Sequence, residues 1–259
     1  MREICDDLTA EHEALDAVVA DLDEAAWRKP TAAVGYTVAD SISHLWYFDG
    51  TARLAATDPE AFEAGKRALL AQAGSGTDPS IEPGRVISGA ELLRRWREDR
   101  RALVDALRTL DPSARLPWYG PAMGARSFAT ARLMETWAHG QDVVDALEAT
   151  RPVTARLRHI AHLGVRARPF AYAINGRTMP ANDVRVELVG PDGDLWTWGD
   201  EASPDRITGD ALDFCLLVTQ RRHRDDTTLR ITGEGANEWA GFAQAFAGPP
   251  GPGRKPGEY

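Results

Sequence analysis

Three residues near residue 140 carry side chains of the kinds that bind divalent metals. Glu135, His139 and Asp142 follow the pattern Glu-x-x-x-His-x-x-Asp in a segment that predicts a helix. At 100° per residue they share one helix face, and Glu135 and His139 are one turn apart, so both can bind one metal ion. Asp142 is placed to accept a hydrogen bond from the other nitrogen of His139. A solvated, ion-paired helix face has the same spacing, so the motif alone leaves both interpretations open.

An earlier histidine extends this set. His44 shares its predicted helix face with apolar residues at helical spacing, which predicts that it points towards the interior of a bundle. Helical bundles build metal sites from inward-facing residues on different helices, so His44, Glu135 and His139 form a candidate His₂Glu set. Three protein ligands leave a coordination position open, as in catalytic zinc sites. A core histidine satisfied by hydrogen bonds is the alternative interpretation.

The first 150 residues predict four long amphipathic helices, which together indicate a four-helix bundle. A further helix is predicted over 58–73, followed by a loop over 74–84 that is rich in glycine, serine and proline. Thr37 with Asp40, and Ser88 with Glu91, have the spacing of capping boxes at two helix starts. The four helices are predicted from Ile4 to a stop at Lys29-Pro30, over 41–56, over 88–111 and over 127–149.

The second half of the chain predicts mixed helices and strands, so the fold class is α+β with an N-terminal bundle. A helix over 154–168 is expected to stop at Pro169, and 184–188 with 195–198 predict a hairpin. A helix is expected to begin at Thr208, a strand to cover 229–232, and a last helix to cover 236–246. The predicted domains are a bundle over 1–150, a small α+β domain over 151–247 and a flexible tail over 248–259.

Two motifs resemble one known family. The segment from Gly35 to Leu45 resembles the Gly-Trp-Thr-Val-x-Asp-x-x-x-His-Leu opening of the mycothiol-dependent maleylpyruvate isomerase family, with Tyr36 in place of Trp. The segment 135–142 resembles the Glu-x-x-x-His-x-x-Asp helix of that family, which belongs to the wider DinB-like bundles. The resemblance implies that His44, Glu135 and His139 bind zinc or another divalent metal, and that mycothiol is the cosubstrate. Members are typically actinobacterial, which agrees with the large excess of arginine over lysine.

A third segment extends the resemblance to the second domain. Residues 216–221, Leu-Leu-Val-Thr-Gln-Arg, resemble a family helix that ends in Leu-Thr-Gly-Arg, whose arginine faces the site. Gln220 stands in place of the glycine and a second arginine follows, so Arg221 and Arg222 are both candidates. The resemblance implies that one of them binds an acidic group of the substrate. The alternative for this basic run is a solvated helix end, where cations suit the helix dipole.

The leading hypothesis is therefore a metal-dependent enzyme of thiol chemistry, cytoplasmic, with a small-molecule thiol and an electrophilic substrate as partners. Zinc would stabilise the thiolate, for isomerisation or for transfer of the thiol. One alternative is a non-catalytic protein that binds a metal and a small ligand. Another is a zinc-dependent hydrolase with Asp142 or a neighbouring carboxylate as base.

Composition excludes several other classes of function. Acidic residues exceed basic ones by 39 to 30, and the net charge of −9 argues against nucleic acid or an anionic membrane as partner. No run approaches 18 consecutive apolar residues, so no membrane span is expected. The two cysteines, Cys5 and Cys215, are too far apart in sequence to indicate a disulfide scaffold. A monomer or a homodimer is expected.

Overall fold

In a computed structural model that describes residues 1–71, 78–251 and 253–259, the chain forms two units, Met1–Arg151 and Pro152–Tyr259. The first unit is mainly helical, because long amphipathic segments alternate with capping residues. Its elements are α1 (Arg2–Val19), α2 (Glu24–Trp27), α3 (Val38–Thr57), α4 (Pro59–Ala71), α5 (Glu82–Arg85), α6 (Gly89–Arg108), β1 (Arg115–Leu116), β2 (Met123–Gly124) and α7 (Ala125–Leu147).

The four long helices α1, α3, α6 and α7 pack as a bundle. Helix α3 packs against α6 and α7, and α1 packs against the same two helices. Each helix contributes fully buried apolar residues to the core between them, so the burial of these faces is what holds the bundle together. Examples of these core residues are Leu15, Ile42, Leu45, Trp96 and Val143.

The predicted start of α3 is confirmed. The Thr37 side chain accepts a hydrogen bond from the amide of Asp40, and the Asp40 side chain accepts one from the amide of Thr37, which is a complete capping box. Arg85 then pairs with Asp40, with 2.8 Å between Nε and Oδ1. These contacts fix the beginning of the helix that carries His44.

Two expectations for the first unit are wrong. The first helix ends at Val19 and not at Lys29-Pro30, because the Asp23 side chain caps a separate short helix, α2. The predicted loop over 74–84 contains helix α5 at its end, which begins with a proline in its first turn. Residues 72–77, which include the start of that loop and the end of the predicted helix 58–73, lie outside the described residues.

The second unit surrounds a four-stranded sheet. Its elements are α8 (Leu157–Arg166), α9 (Arg168–Ile174), β3 (Arg185–Val189), β4 (Leu195–Trp198), β5 (Arg206–Asp210), α10 (Ala211–Val218), β6 (Arg230–Thr232) and α11 (Glu234–Ala240). The strand order is β4-β3-β5-β6, with β3 and β5 parallel and the other pairs antiparallel. The predicted hairpin is confirmed as β3 and β4. Helix α10 packs on α8 and on the central strands.

Three predicted boundaries in the second unit are wrong. Thr208 lies in β5, opposite Glu187 of β3, and the helix begins after Asp210, whose side chain caps it. Pro169 does not stop the helical region, because it occupies the first turn of α9, where its missing N–H costs no hydrogen bond. The last helix ends at Ala240 and not at residue 246.

The described part of the tail makes contacts within the second unit. Arg254 donates a hydrogen bond to the carbonyl of Arg221, and the amide of Gly257 donates one to the carboxylate of Asp226. Pro252, within the predicted flexible tail, lies outside the described residues. In the described ranges, no helix has both the length and the apolar character needed to cross a membrane.

Candidate metal centre

The three candidate ligands come from two helices that pack against each other. His44 lies on α3, and Glu135 and His139 lie one turn apart on α7. One ligand atom of each residue lies within 4.8 Å of the others. The His139 Nε2 and Glu135 Oε2 atoms are 3.6 Å apart, and the ring centroids of His44 and His139 are 4.4 Å apart. The structure therefore brings the predicted set together.

The donor set fits a divalent metal such as zinc. Tetrahedral bonds of about 2.0–2.2 Å separate neighbouring ligand atoms by about 3.4 Å. The 3.6 Å between Glu135 and His139 matches this separation. All the ligand atoms lie within 4.8 Å of one another, so no pair needs to close by more than about 1.4 Å. Two imidazoles and one carboxylate are also one of the ligand sets found at catalytic zinc sites.

The protonation states suit metal binding. Burial lowers the pKa of His44 to about 3, with a further contribution from the neighbouring His139, so its imidazole is neutral near pH 7. Burial acts in the opposite direction on Glu135, but the hydrogen bond and charge of His139, together with Arg132, outweigh it and hold the pKa at about 2. At neutral pH the cluster therefore offers a lone pair from His44 and an ionised carboxylate from Glu135.

Asp142 faces the nitrogen of His139 that points away from Glu135. Its Oδ2 atom lies 3.7 Å from His139 Nδ1, and the Asp142 side chain is fully buried. Among the described residues, His139 Nδ1 has no partner within hydrogen-bond distance, and the Asp142 carboxylate lies just beyond that distance. Asp142 is thus positioned to orient the imidazole and not to extend into the cluster.

The corresponding nitrogen of His44 has neighbours that the sequence did not reveal. His44 Nδ1 lies 2.9 Å from Ser80 Oγ and 3.4 Å from Tyr36 Oη. Both hydroxyls donate hydrogen bonds of 2.6 Å to the carboxylate of Asp78. Tyr36 also stacks on His139, with ring centroids 6.3 Å apart. The residue that replaces the usual Trp of the motif therefore contacts both histidines.

A buried ion pair joins the same two helices beside the cluster. Arg132 on α7 donates from Nε and Nη2 to Asp49 Oδ1 on α3, at 3.1 and 2.9 Å. The other oxygen of Asp49 accepts a hydrogen bond from Trp96 Nε1 at 3.0 Å and lies 3.7 Å from His12 Nε2. The sequence motifs do not reveal this pair, although a charged residue at helical spacing on an otherwise apolar face is a signal that points to it.

Aromatic side chains line another part of the cluster's surroundings. Phe48 lies one turn after His44, with ring centroids 4.6 Å apart. Phe48 also contacts Trp118 and Tyr119, whose ring centroids lie 6.2 and 5.6 Å away. This apolar wall reduces the access of water to His44, which agrees with the lowered pKa of that residue.

Arg221 and Arg222 lie in the second unit, just after α10. Gln220 has φ of 58°, in the left-handed region that favours glycine, which explains why a glycine suits this place in the motif. The Arg221 side chain donates to the carbonyl of Thr219 at 2.7 Å. The guanidinium of Arg222 lies 4.1 Å from the ring centroid of Tyr259. The role of either arginine toward a substrate stays a prediction.

Comparison with known proteins decides the family. Residues 8–144 match the family described as the mycothiol maleylpyruvate isomerase N-terminal domain. The chain belongs to this family. The resemblance seen in the two sequence motifs is thereby confirmed, and both motifs lie within the matched residues.

Relatives of this maleylpyruvate isomerase family member cover nearly its whole length. Uncharacterized proteins from two strains of Mycobacterium tuberculosis are 48% identical over 248 residues, which is 96% of each chain. Crystal structures of the mycothiol-dependent maleylpyruvate isomerase and of one of its mutants match with TM-scores of 0.56 and 0.59, at 14% and 15% identity. They cover 89% and 88% of this chain and 92% of their own. The predicted α+β fold with a helical N-terminal unit is confirmed.

Proposed function

We propose that this protein is a zinc-dependent enzyme that uses a low-molecular-weight thiol, mycothiol, to act on a small electrophilic substrate. The observation that carries the proposal is the convergence of His44, Glu135 and His139 from two packed helices in a chain of this family. When bound, zinc would act as a Lewis acid that favours the thiolate form over the thiol form at neutral pH. Three protein ligands leave at least one position for that thiol.

The cysteines of the chain support the need for an external thiol. Cys5 and Cys215 are both buried, and burial is the main cause that raises the pKa of each thiol. A buried, protonated cysteine is a poor nucleophile, because the thiolate is the reactive form. The attacking sulfur is therefore expected from a small molecule, in agreement with the thiol in the family's name.

The residues around the cluster divide the remaining work. His44 and Glu135 contribute a neutral imidazole and a carboxylate, and Asp142 orients the ring of His139. Phe48 and its aromatic neighbours exclude water, which strengthens electrostatic interactions within the site. The chain thus needs to bind and orient the reactants, while the thiol supplies the nucleophile.

We favour isomerisation among the reactions open to such a thiolate. The sulfur adds to one carbon of an activated double bond, the resulting single bond rotates, and elimination of the same sulfur restores the double bond in the other geometry. No atom is gained or lost, and the thiol is regenerated. Arg221 or Arg222 is proposed to bind an acidic group of the substrate, as the resemblance of residues 216–221 to the family's arginine-bearing helix implies.

The test measures bound zinc and thiol-dependent turnover in the same protein preparations. His139→Ala should lose bound zinc and turnover together, because a ligand is removed. Asp142→Asn should weaken zinc binding by about 10- to 100-fold, as loss of an orienting carboxylate does, and should recover turnover at saturating zinc. His159→Ala, on α8 of the second unit, serves as the control and should match the wild type.

The substrate for this assay is maleylpyruvate, with and without mycothiol. Turnover only when mycothiol is present supports the proposal. Full zinc content in His139→Ala contradicts the assigned ligands. Zinc-dependent activity that needs no thiol would favour a hydrolase, and zinc without any turnover would favour a binding protein.

A further inference from the structure

A three-residue turn packs its polar side chains against His44. Asp78-Pro79-Ser80 closes on itself, because the amide and the hydroxyl of Ser80 both donate to Asp78 Oδ1, at 2.9 and 2.6 Å. Ser80 Oγ lies 2.9 Å from His44 Nδ1. The other carboxylate oxygen of Asp78 accepts the hydroxyl of Tyr36 at 2.6 Å. One carboxylate therefore orders both hydroxyls that face His44.

The single hydroxyl proton of Ser80 determines the direction of its hydrogen bond with His44. A serine hydroxyl has one proton to donate, and the proton of Ser80 is used on Asp78 Oδ1. The Ser80 oxygen can then only accept from His44, so the proton of a neutral His44 ring lies on Nδ1. Tyr36 likewise donates its only hydroxyl proton to Asp78 Oδ2, so Tyr36 cannot donate a hydrogen bond to His44 Nδ1. His44 Nε2 is left with a free lone pair.

The turn is fixed to the helix that carries His44. The hydroxyl of Ser43 donates to the carbonyl of Ser80 at 2.9 Å and accepts from the amide of Gly84 at 3.2 Å. A Cβ atom at Gly84 would lie only 2.5 Å from that of Ser43, so the backbone approaches as closely as it can. Ser80 is 2% exposed. The position of Ser80 is therefore set by the residue next to His44.

We propose that Ser80 and Asp78 are positioning residues that hold His44 as its Nδ1–H tautomer and aim Nε2 at the metal site. The inference rests on the proposed function for the identity of what Nε2 binds. It places a carboxylate on the Nδ1 side of each histidine: Asp142 Oδ2 lies 3.7 Å from Nδ1 of His139, and Asp78 acts on Nδ1 of His44 through a serine. Orienting hydrogen bonds of this kind fix both the tautomer and the ring of a ligating histidine.

The chain contains a matched control for this turn. Asp111-Pro112-Ser113 has the same sequence, and its serine amide and hydroxyl donate to Asp111 Oδ1 at 2.7 and 2.6 Å. Both of these hydrogen bonds are exposed, and neither involves a histidine. Replacement of Ser113 by alanine therefore removes the same hydroxyl hydrogen bond within the turn as replacement of Ser80, without affecting a candidate metal ligand.

The first measurement is the tautomer of His44 in the zinc-free chain. Long-range ¹H–¹⁵N spectra of protein labelled in histidine report which nitrogen carries the proton, and His44→Gln identifies the signals of this residue. We expect Nδ1–H in the wild type and in Ser113→Ala. We expect loss of that preference in Ser80→Ala.

The second measurement is zinc affinity by competition with a chelator. Ser80→Ala should bind zinc about 10- to 100-fold more weakly than the wild type, and Ser113→Ala should be unchanged. If Ser80→Ala does not fold, Asp78→Asn takes its place. An amide has one acceptor oxygen where the carboxylate has two, so either the Ser80 or the Tyr36 hydroxyl loses its acceptor and can donate its proton to His44 Nδ1. The same changes in tautomer and zinc affinity are therefore expected.

The two proposals fail in different ways. An Nε2–H tautomer in the wild type overturns this inference, whatever the protein binds. A wild-type tautomer and wild-type affinity in both Ser80→Ala and Asp78→Asn overturn it as well. If the wild type shows the expected tautomer and Ser80→Ala loses it, but the wild type binds no zinc, the proposed function fails and the positioning role of Ser80 stands.

Discussion

The buried ion pair between Arg132 and Asp49 offers a direct test of what holds the two ligand-bearing helices together. Both side chains are almost fully buried, at 3% and 0% exposed, and the shortest N···O distance is 2.9 Å. Arg132→Met keeps most of the aliphatic volume and removes the charge. The carboxylate of Asp49 then keeps only one of its strong donors, Trp96 Nε1. An uncompensated charge in the core is the expected result.

The magnitude follows from the cost of that charge. Removal of one partner from a buried pair costs about 3–5 kcal/mol of folding free energy, because the other charge stays buried without compensation. For a unit of this size we expect the unfolding temperature to fall by roughly 10 °C. The matched control is Arg126→Met on the same helix, whose pair with Glu3 is 59% and 75% exposed. Exposed pairs contribute about 0–1 kcal/mol, so this variant should resemble the wild type.

The assay combines denaturant unfolding with hydrogen exchange. Unfolding monitored by tryptophan fluorescence gives the loss of stability, and exchange of peptides from α3 and α7 shows where protection is lost. Zinc affinity should also fall in Arg132→Met, since His44 and His139 lie on the two helices that the pair connects. If Arg132→Met is no less stable than Arg126→Met, the reasoning about the buried pair is refuted.

Three further predictions concern pH, packing and catalysis. Burial lowers the pKa of His12 from 6.5 to about 4, so the unfolded chain binds a proton first as the pH falls. The free energy of unfolding, measured with urea, should therefore decrease as the pH falls from 6.5 to about 4. His12→Gln should make this pH dependence weaker. Gly89→Ala places a Cβ atom 2.2 Å from the Trp27 ring and should lower stability by about 1–3 kcal/mol in the same assay. A Cβ atom at Gly50, in α3, would meet no other atom, so Gly50→Ala should raise stability by up to about 1 kcal/mol. Arg221→Ala and Arg222→Ala should leave zinc content unchanged, and at least one should reduce turnover; full turnover in both would mean that neither arginine binds substrate.

Local features of the sequence were enough to predict the two helices that carry the candidate ligands. The spacing of Glu135, His139 and Asp142 places them on one face of any α-helix, so their relation could be predicted without knowledge of packing. The capping box at Thr37 is equally local, because its hydrogen bonds join residues three apart. The inward face of His44 followed from the apolar residues at helical spacing around it.

Contacts between residues distant in sequence were decided by the tertiary structure. The sequence predicts a helix from Thr208, because the strand that contains this residue exists only through pairing with β3, about 20 residues earlier. A five-residue segment carries little sign of its partner. The Asp78-Pro79-Ser80 turn can be recognised from its sequence, but the identical turn at Asp111 shows that the motif does not tell which copy meets a histidine. Residue types and their spacing are sufficient to show which side chains could serve as ligands and how those of one helix are arranged. Packing of α3 against α7 brings His44 to Glu135 and His139, because burial of apolar faces selects which helices are neighbours. The tertiary structure also selects the groups that hold the ring of His44, because buried polar atoms must find hydrogen-bond partners inside the protein.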